Sequence, residues 1–296
     1  MKKLLLALLA ILLGISFVFA SCDNTTQSSN DYDDEEEEEE DEDDEELDEE
    51  ELWSFVRNNK TGSYTITCNN KNITTIEPSM IPVTYDGESV TGLSAGAFDG
   101  CSQLKSVSLP STITTIGARS FHNCVALEEV TIKGKVTSIG SKAFENCVSL
   151  SAITIPNTVT TIGNDAFNNC KKLQEITIPD SVRKIGEFAF MKCTSLQKVT
   201  IGHGLNEIGA SAFYGCTKLD FIELPSSLSI IGDTAFAFCE NLFSITIPDS
   251  VVIMGTRIFR GSPNTCVMCE VASKPDGWDA HWNDSTDAVV LWKGEY

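Results

Sequence analysis

The chain has 296 residues, and its 43 acidic against 21 basic residues give a formal net charge of −22. Nineteen of the acids lie within residues 31–51, so residues 52–296 carry 19 basic and 23 acidic groups and are close to neutral. A body without clustered Lys and Arg excludes a nucleic-acid binder, which must displace counterions from phosphates, and three histidines leave little material for His-based catalysis.

Lys2 and Lys3 precede an apolar stretch over residues 4–19, and small Ala20 and Ser21 follow. That order of charged, apolar and small residues predicts a secretory signal over residues 1–21, too short in apolar length for a permanent membrane helix. Phe19-Ala20-Ser21-Cys22 resembles a bacterial lipoprotein box. The resemblance implies cleavage before Cys22 and acylation of its sulfur and amine, and two or three acyl chains hold a protein on a membrane without any spanning segment. Residues 22–51 then read as a disordered acidic tether, because they offer too little apolar surface for a core and their charges repel one another. The run lacks the spaced ligands and turn glycine of a calcium loop.

Residues 52–100 form an N-terminal capping region ending in a half repeat marked by Val90, Leu93, Ala97 and Phe98. Beyond it, phenylalanines recur at 98, 121, 144, 167, 190, 213, 236 and 259 and cysteines at 101, 124, 147, 170, 193, 216 and 239, always 23 residues apart. Residues 101–261 are therefore seven units of 23, approximately C-x2-L-x2-[VI]-x-[IL]-P-x2-[VIL]-x2-I-G-x3-F-x2-C, and a fixed period of this length marks a solenoid.

Within one unit, Ile176 and Ile178 alternate with polar residues as a half-buried strand requires, and Pro179 ends the pairing. A second apolar stretch, Val182 and Ile185, leads to Gly186, in a column that is glycine in every unit and suggests a tight turn. A short polar residue such as Ser141, Asn164 or Asp233 then caps a helical turn carrying Ala-Phe. The turn closes at Asn123, Asn146, Asn169, Gly215 or Gly261, residue types that accept left-handed backbone angles. Each unit has too few apolar residues to bury a core alone, so the units must stack column on column. The expected architecture is a solenoid with a parallel β-sheet on the concave face and short turns and short helical turns on the convex side.

These residues resemble the bacterial leucine-rich repeat of BspA-like and treponemal surface proteins, L-x2-[IL]-x-[IL]-P-x2-[VIL]-x2-I-G-x2-A-F-x2-C, through seven consecutive approximate matches in residues 101–261. In residues 262–296, Trp278, Trp282-Asn283 and Val289-Val290-Leu291-Trp292 look like the closing segment of such proteins, a Trp-rich cap over the apolar end of the stack. The resemblance implies binding of protein or glycan partners, with adhesion to host or neighbouring cells as the role and no catalysis, metal or cofactor. A periplasm-facing structural or assembly scaffold is the alternative.

The cysteine ladder is read as buried, weakly polar filler, because seven side chains in one column point the same way and an odd set cannot pair completely. Cys266-Val-Met-Cys269 has no second half for a zinc site. Shifting the alignment by one residue puts Cys266, Cys269 and Val271 in the Leu, Ile and Ile columns, as core. Gly92-Leu93-Ser94-Ala95-Gly96 has the form of a hydrolase elbow, but Leu93 and Ser94 fill the Ile and Gly columns of the half repeat. His122 and His203 belong to no evident constellation.

The solvent face of the strands presents the column Ser106, Glu129, Ala152, Glu175, Lys198, Phe221 and Ser244 beside a threonine-rich one running from Ser108 to Thr246. Phe221 departs from its column, and Phe243 from the neighbouring one. An exposed aromatic pair marks recognition surfaces, so Phe221, Phe243, Lys198 and Glu223 are the candidate contact residues on the concave face of a monomer, and Cys22 is the candidate lipidation site.

Overall fold

The computed structural model describes residues 49–284 and 288–296. After a short helix at Glu49–Leu52, the chain winds into stacked coils. In the strand Glu175–Ile178, Ile176 and Ile178 are buried while Glu175 and Thr177 face solvent, the alternation that pleating imposes. It pairs in parallel with Lys198–Ile201, Glu175 opposite Lys198 and Ile176 opposite Val199, so residues 23 apart stand directly over one another. Strands of this type build a six-stranded sheet of Glu175–Ile178, Lys198–Ile201, Phe221–Ile222, Ser244–Ile247, Cys266–Cys269 and Val289–Trp292. A four-stranded sheet of Thr75–Ile76, Ser106–Leu109, Glu129–Ile132 and Ala152–Ile153 continues it in the other direction. The ribbon is interrupted between Ala152–Ile153 and Glu175–Ile178, where Gln174 N reaches Ser151 O only at 3.5 Å.

The second apolar stretch of each unit also ends in a strand, of two residues, which the repeat pattern alone does not reveal. Lys184–Ile185 and its equivalents stack in parallel into an eleven-stranded sheet running from Trp53–Arg57 to Ile253–Met254. Between this ladder and the first lies the core, whose axis is the phenylalanine column. All eight rings from Phe98 to Phe259 are fully buried, and successive centroids are 5.0–6.0 Å apart with planes within 11° of parallel.

The Ala-Phe segment is a series of turns, not a helix. Ala143 N bonds Gly140 O, Glu145 N bonds Lys142 O and Cys147 N bonds Phe144 O, each closing three residues back. Left-handed Lys142 (φ 61) and Asn146 (φ 63) break any continuous helical run. The intervening amides of Lys142, Phe144 and Asn146 donate to Asn164, Ala166 and Asn168 of the next coil, so this wall is a third intercoil ladder. The expected caps act across coils: Asn164 Oδ1 accepts from Glu187 N and Asp233 Oδ1 from Thr256 N. Asn123, Asn146 and Asn169 are left-handed as expected, and their side-chain amides also bond in a ladder at 2.8 Å.

The glycine column serves close approach, not left-handed geometry, because Gly186 and its equivalents have no positive φ. A methyl group on Gly186 would lie 2.6 Å from Asn164 N and from Gly163 C on the preceding coil. Backbone cannot yield as a side-chain tip does, so Gly186→Ala is expected to destabilise by about 1–3 kcal/mol, measured by denaturant unfolding. A neutral result would show that the coils can separate freely there.

Large rings meet both ends of the phenylalanine column. Trp53 packs edge-on to Phe98 at 5.9 Å and donates its indole N–H to Met80 O. Trp282 packs edge-on to Phe259 at 6.4 Å, with Trp278 5.2 Å from Trp282. The coil leading from Ser244 to Cys266 is shorter by one residue instead of longer: Ser244 pairs with Cys266, Ile245 with Val267 and Ile247 with Cys269, and the spacing of 23 returns in the pairing of Cys266 with Val289. Val267 and Cys269 are therefore the buried pair, and Cys266 stands in the outward column, half-exposed.

Candidate binding surface

Regular pairing puts the outward strand residues on one rigid face, and their exposure follows from pleating. Phe221 opens its strand, opposite Lys198 on one side and Ser244 on the other, and is 56% exposed. It stands as a ridge between two recesses. One, of about 500 Å³, is lined by Lys198, Thr200, Phe221 and Glu223 among others. The other, of about 780 Å³, runs from Phe221 and Glu223 to Ser244, Thr246 and Glu270. Three of the four candidate contact residues thus meet in one place. Phe243 does not join them, although it is 73% exposed: it precedes its strand Ser244–Ile247 by one residue and lines neither of the two recesses. A third recess of about 880 Å³ lies at the interruption of the ribbon, where Ala152 is bracketed by Glu129 and Glu175. Its signal in the sequence is the small residue between two glutamates of one column. Cys22 lies outside the described residues.

The turn wall holds a charged cluster that inspection of His122 alone misses. His122 is buried; its Nδ1 is 2.8 Å from Asp99 Oδ1, and its Nε2 is 3.5 Å from Glu145 Oε2. Arg119 adds bonds of 2.9 and 3.2 Å to Asp99, and Lys142 lies 3.2 Å from Glu145. Burial alone would raise the Asp99 carboxyl, but the bonds from His122 and Arg119 outweigh it and hold the group below the usual carboxylate range. Asp99, His122 and Glu145 occupy one column, so alternating charge along the column was the available signal. The cluster ties three coils together and lines none of the three recesses of the strand face.

Ser94, of the elbow-like motif, hydrogen-bonds Thr65 Oγ1 at 2.8 Å and sits where later coils have glycine; neither a carboxylate nor an imidazole bonds its hydroxyl. The ten described cysteines are free. From Cys124 to Cys239 each Sγ donates to the phenylalanine carbonyl of the preceding coil at 3.0–3.2 Å. Ser262 continues the column with the same bond, to Phe236 O. Burial pushes these thiols up, Cys193 and Cys239 to about 12, so they are inert as nucleophiles near neutrality.

Comparison with known proteins agrees with this geometry. Residues 68–178 and 137–266 match the family described as BspA type leucine rich repeat region, in six copies. Among solved structures, the chain is similar to a leucine rich cell surface protein from Faecalibacterium prausnitzii A2-165, with 26% identity and a TM-score of 0.62 over 81% of this chain and 71% of that one. It is also similar to a leucine-rich repeat protein from Bacteroides ovatus, with 28% identity and a TM-score of 0.58 over 81% and 70% of the respective chains. No curated protein sequence matches it significantly.

Proposed function

Because the chain belongs to the BspA type leucine rich repeat family, we propose that it is a cell-surface protein that binds protein or glycan partners and works in adhesion, held to the membrane by a lipid on Cys22 and carried outward on the acidic segment of residues 22–51. The observation that carries the binding role is the Phe221 ridge. A ring more than half exposed on a rigid sheet, with Lys198 and Glu223 in the same recess, gives an apolar anchor inside a polar rim. The surface location is supported by the sequence before Cys22 and by the Faecalibacterium relative, whose description is that of a cell surface protein.

The test is adhesion of the purified chain to host cells and matrix proteins. Replacing Phe221 and Phe243 together by alanine is expected to weaken adhesion about tenfold, with the melting temperature unchanged, since neither ring belongs to the core. Unchanged adhesion removes the patch from consideration. Protease treatment of intact cells separates display from a scaffold role inside the envelope: cleavage within the coils under an intact membrane supports display, and protection supports the scaffold.

A further inference from the structure

Toward the C-terminus the turn wall changes character. Two residues after each core phenylalanine the backbone is left-handed, and the column reads Gly100, Asn123, Asn146, Asn169, Lys192, Gly215, Phe238, Gly261. Glycine and asparagine accept that geometry; Phe238 holds it at φ 57, which a bulky side chain rarely does. Core packing does not account for this ring, because it is only half-buried. The surrounding sequence makes room for it. A methyl group on Gly261 would lie 2.6 Å from Phe238 Cδ1, and Gly215 occupies the same position one coil earlier.

The ring has company suited to a ligand. Tyr214 lies 5.0 Å away with its plane tilted by 53°. The Arg260 guanidinium is 6.0 Å from the Phe238 centroid. Arg257 and Arg260 are both exposed, and neither takes part in an ion pair among the described residues. The main chain there is fully engaged: Ser211 N, Gly215 N, Thr234 N and Phe238 N all donate to the next coil. No strand edge remains for a peptide backbone to pair with. What the wall offers is two half-buried aromatic rings and two exposed guanidinium forks without an ion pair among the described residues.

We propose that Tyr214, Phe238, Arg257 and Arg260 form a second binding surface, separate from the strand face, for a carbohydrate carrying carboxylates. The apolar face of a sugar ring packs on Phe238 and Tyr214, and the arginines take the carboxylates bidentately. A polymer lying along the stack meets a new coil about every 4.8 Å, so successive sugars can use Tyr214, Phe238 and Arg260 in turn.

The experiment is calorimetric titration of the full chain with polygalacturonate, with the same polymer after reduction of its carboxyl groups, and with poly-glutamate, at about 0.15 M salt, where the acidic segment is screened beyond about 8 Å. Polygalacturonate is expected to bind, and the reduced polymer to bind at least about tenfold more weakly. Arg257→Ala with Arg260→Ala is expected to cost about tenfold. Phe238→Gly, which restores the residue of the adjoining coils and relieves the backbone, is expected to cost about fivefold without lowering the melting temperature. The Phe221 and Phe243 variant keeps full affinity. Absence of polygalacturonate binding, or binding indifferent to the two arginines, overturns the proposal. Arginine-dependent binding of poly-glutamate as strong as that of polygalacturonate overturns the carbohydrate assignment in favour of an acidic peptide.

Discussion

Replacing Phe167 by alanine is expected to destabilise the solenoid by about 3–5 kcal/mol, the cost of emptying a fully packed aromatic site. The ring sits between Phe144 and Phe190, 5.2 Å from each, so the cavity opens on two coil interfaces at once. In a stacked array each coil is held chiefly by its neighbours, and a central deletion weakens the contacts on both sides of itself. The backbone resists collapse into the space because cross-coil bonds fix its height on three walls: Glu175 pairs with Lys198, Lys184 with Glu207, and Phe167 N bonds Ala189 O. Denaturant unfolding of Phe167→Ala beside Phe221→Ala measures the contrast, since Phe221 lies outside the core and its loss is expected to change stability by no more than about 0.5 kcal/mol. Similar losses for the two variants would contradict the burial of the column.

The phenylalanine and cysteine columns were legible because a period of 23 without insertion leaves parallel stacking as the way to bury them, and the first strand was legible because four residues suffice to display alternation. The second ladder escaped because two residues, such as Thr161–Ile162, cannot show a period of two. The glycine column was visible, but its cause was not: conformational freedom and lack of volume leave the same mark in a sequence, and only the 2.6 Å approach at Gly186 separates them. A second left-handed column, two residues after that glycine, is Arg119, Lys142, Asp165, Phe188, Ser211, Thr234 and Arg257, with no common chemistry to announce it. At the candidate surface, Phe221, Lys198 and Glu223 lie where strand register puts them. Phe243 falls apart from them because it precedes its strand, where alternation does not set the direction of a side chain.

Alkaline solution is expected to unfold the protein abruptly, through the cysteine column. Burial raises the thiols of Cys124, Cys147, Cys170, Cys193, Cys216 and Cys239 in the column and of Cys269 beyond it, with Cys193, Cys239 and Cys269 at about 12 and the other four well above the usual thiol value. The sign follows from which state releases protons first. The unfolded thiols ionise near about 8.5 while the folded ones stay neutral, so their contribution is complete below that pH and is lost as pH rises from there through the folded values. Each thiol costs about 1.4 kcal/mol per pH unit in that window, and the seven together about 10. About half to one and a half units therefore exhaust the roughly 5–15 kcal/mol typical of a folded domain. Melting temperatures recorded from pH 7 to 11 test this, with thiolate absorbance expected to appear together with unfolding and not before it. Cys170→Ala removes one titrating group and is expected to make the decline shallower by about one seventh, even though the variant starts from lower stability. A slope unaffected by that substitution, or thiolate absorbance in the still-folded protein, would show that the column is open to solvent.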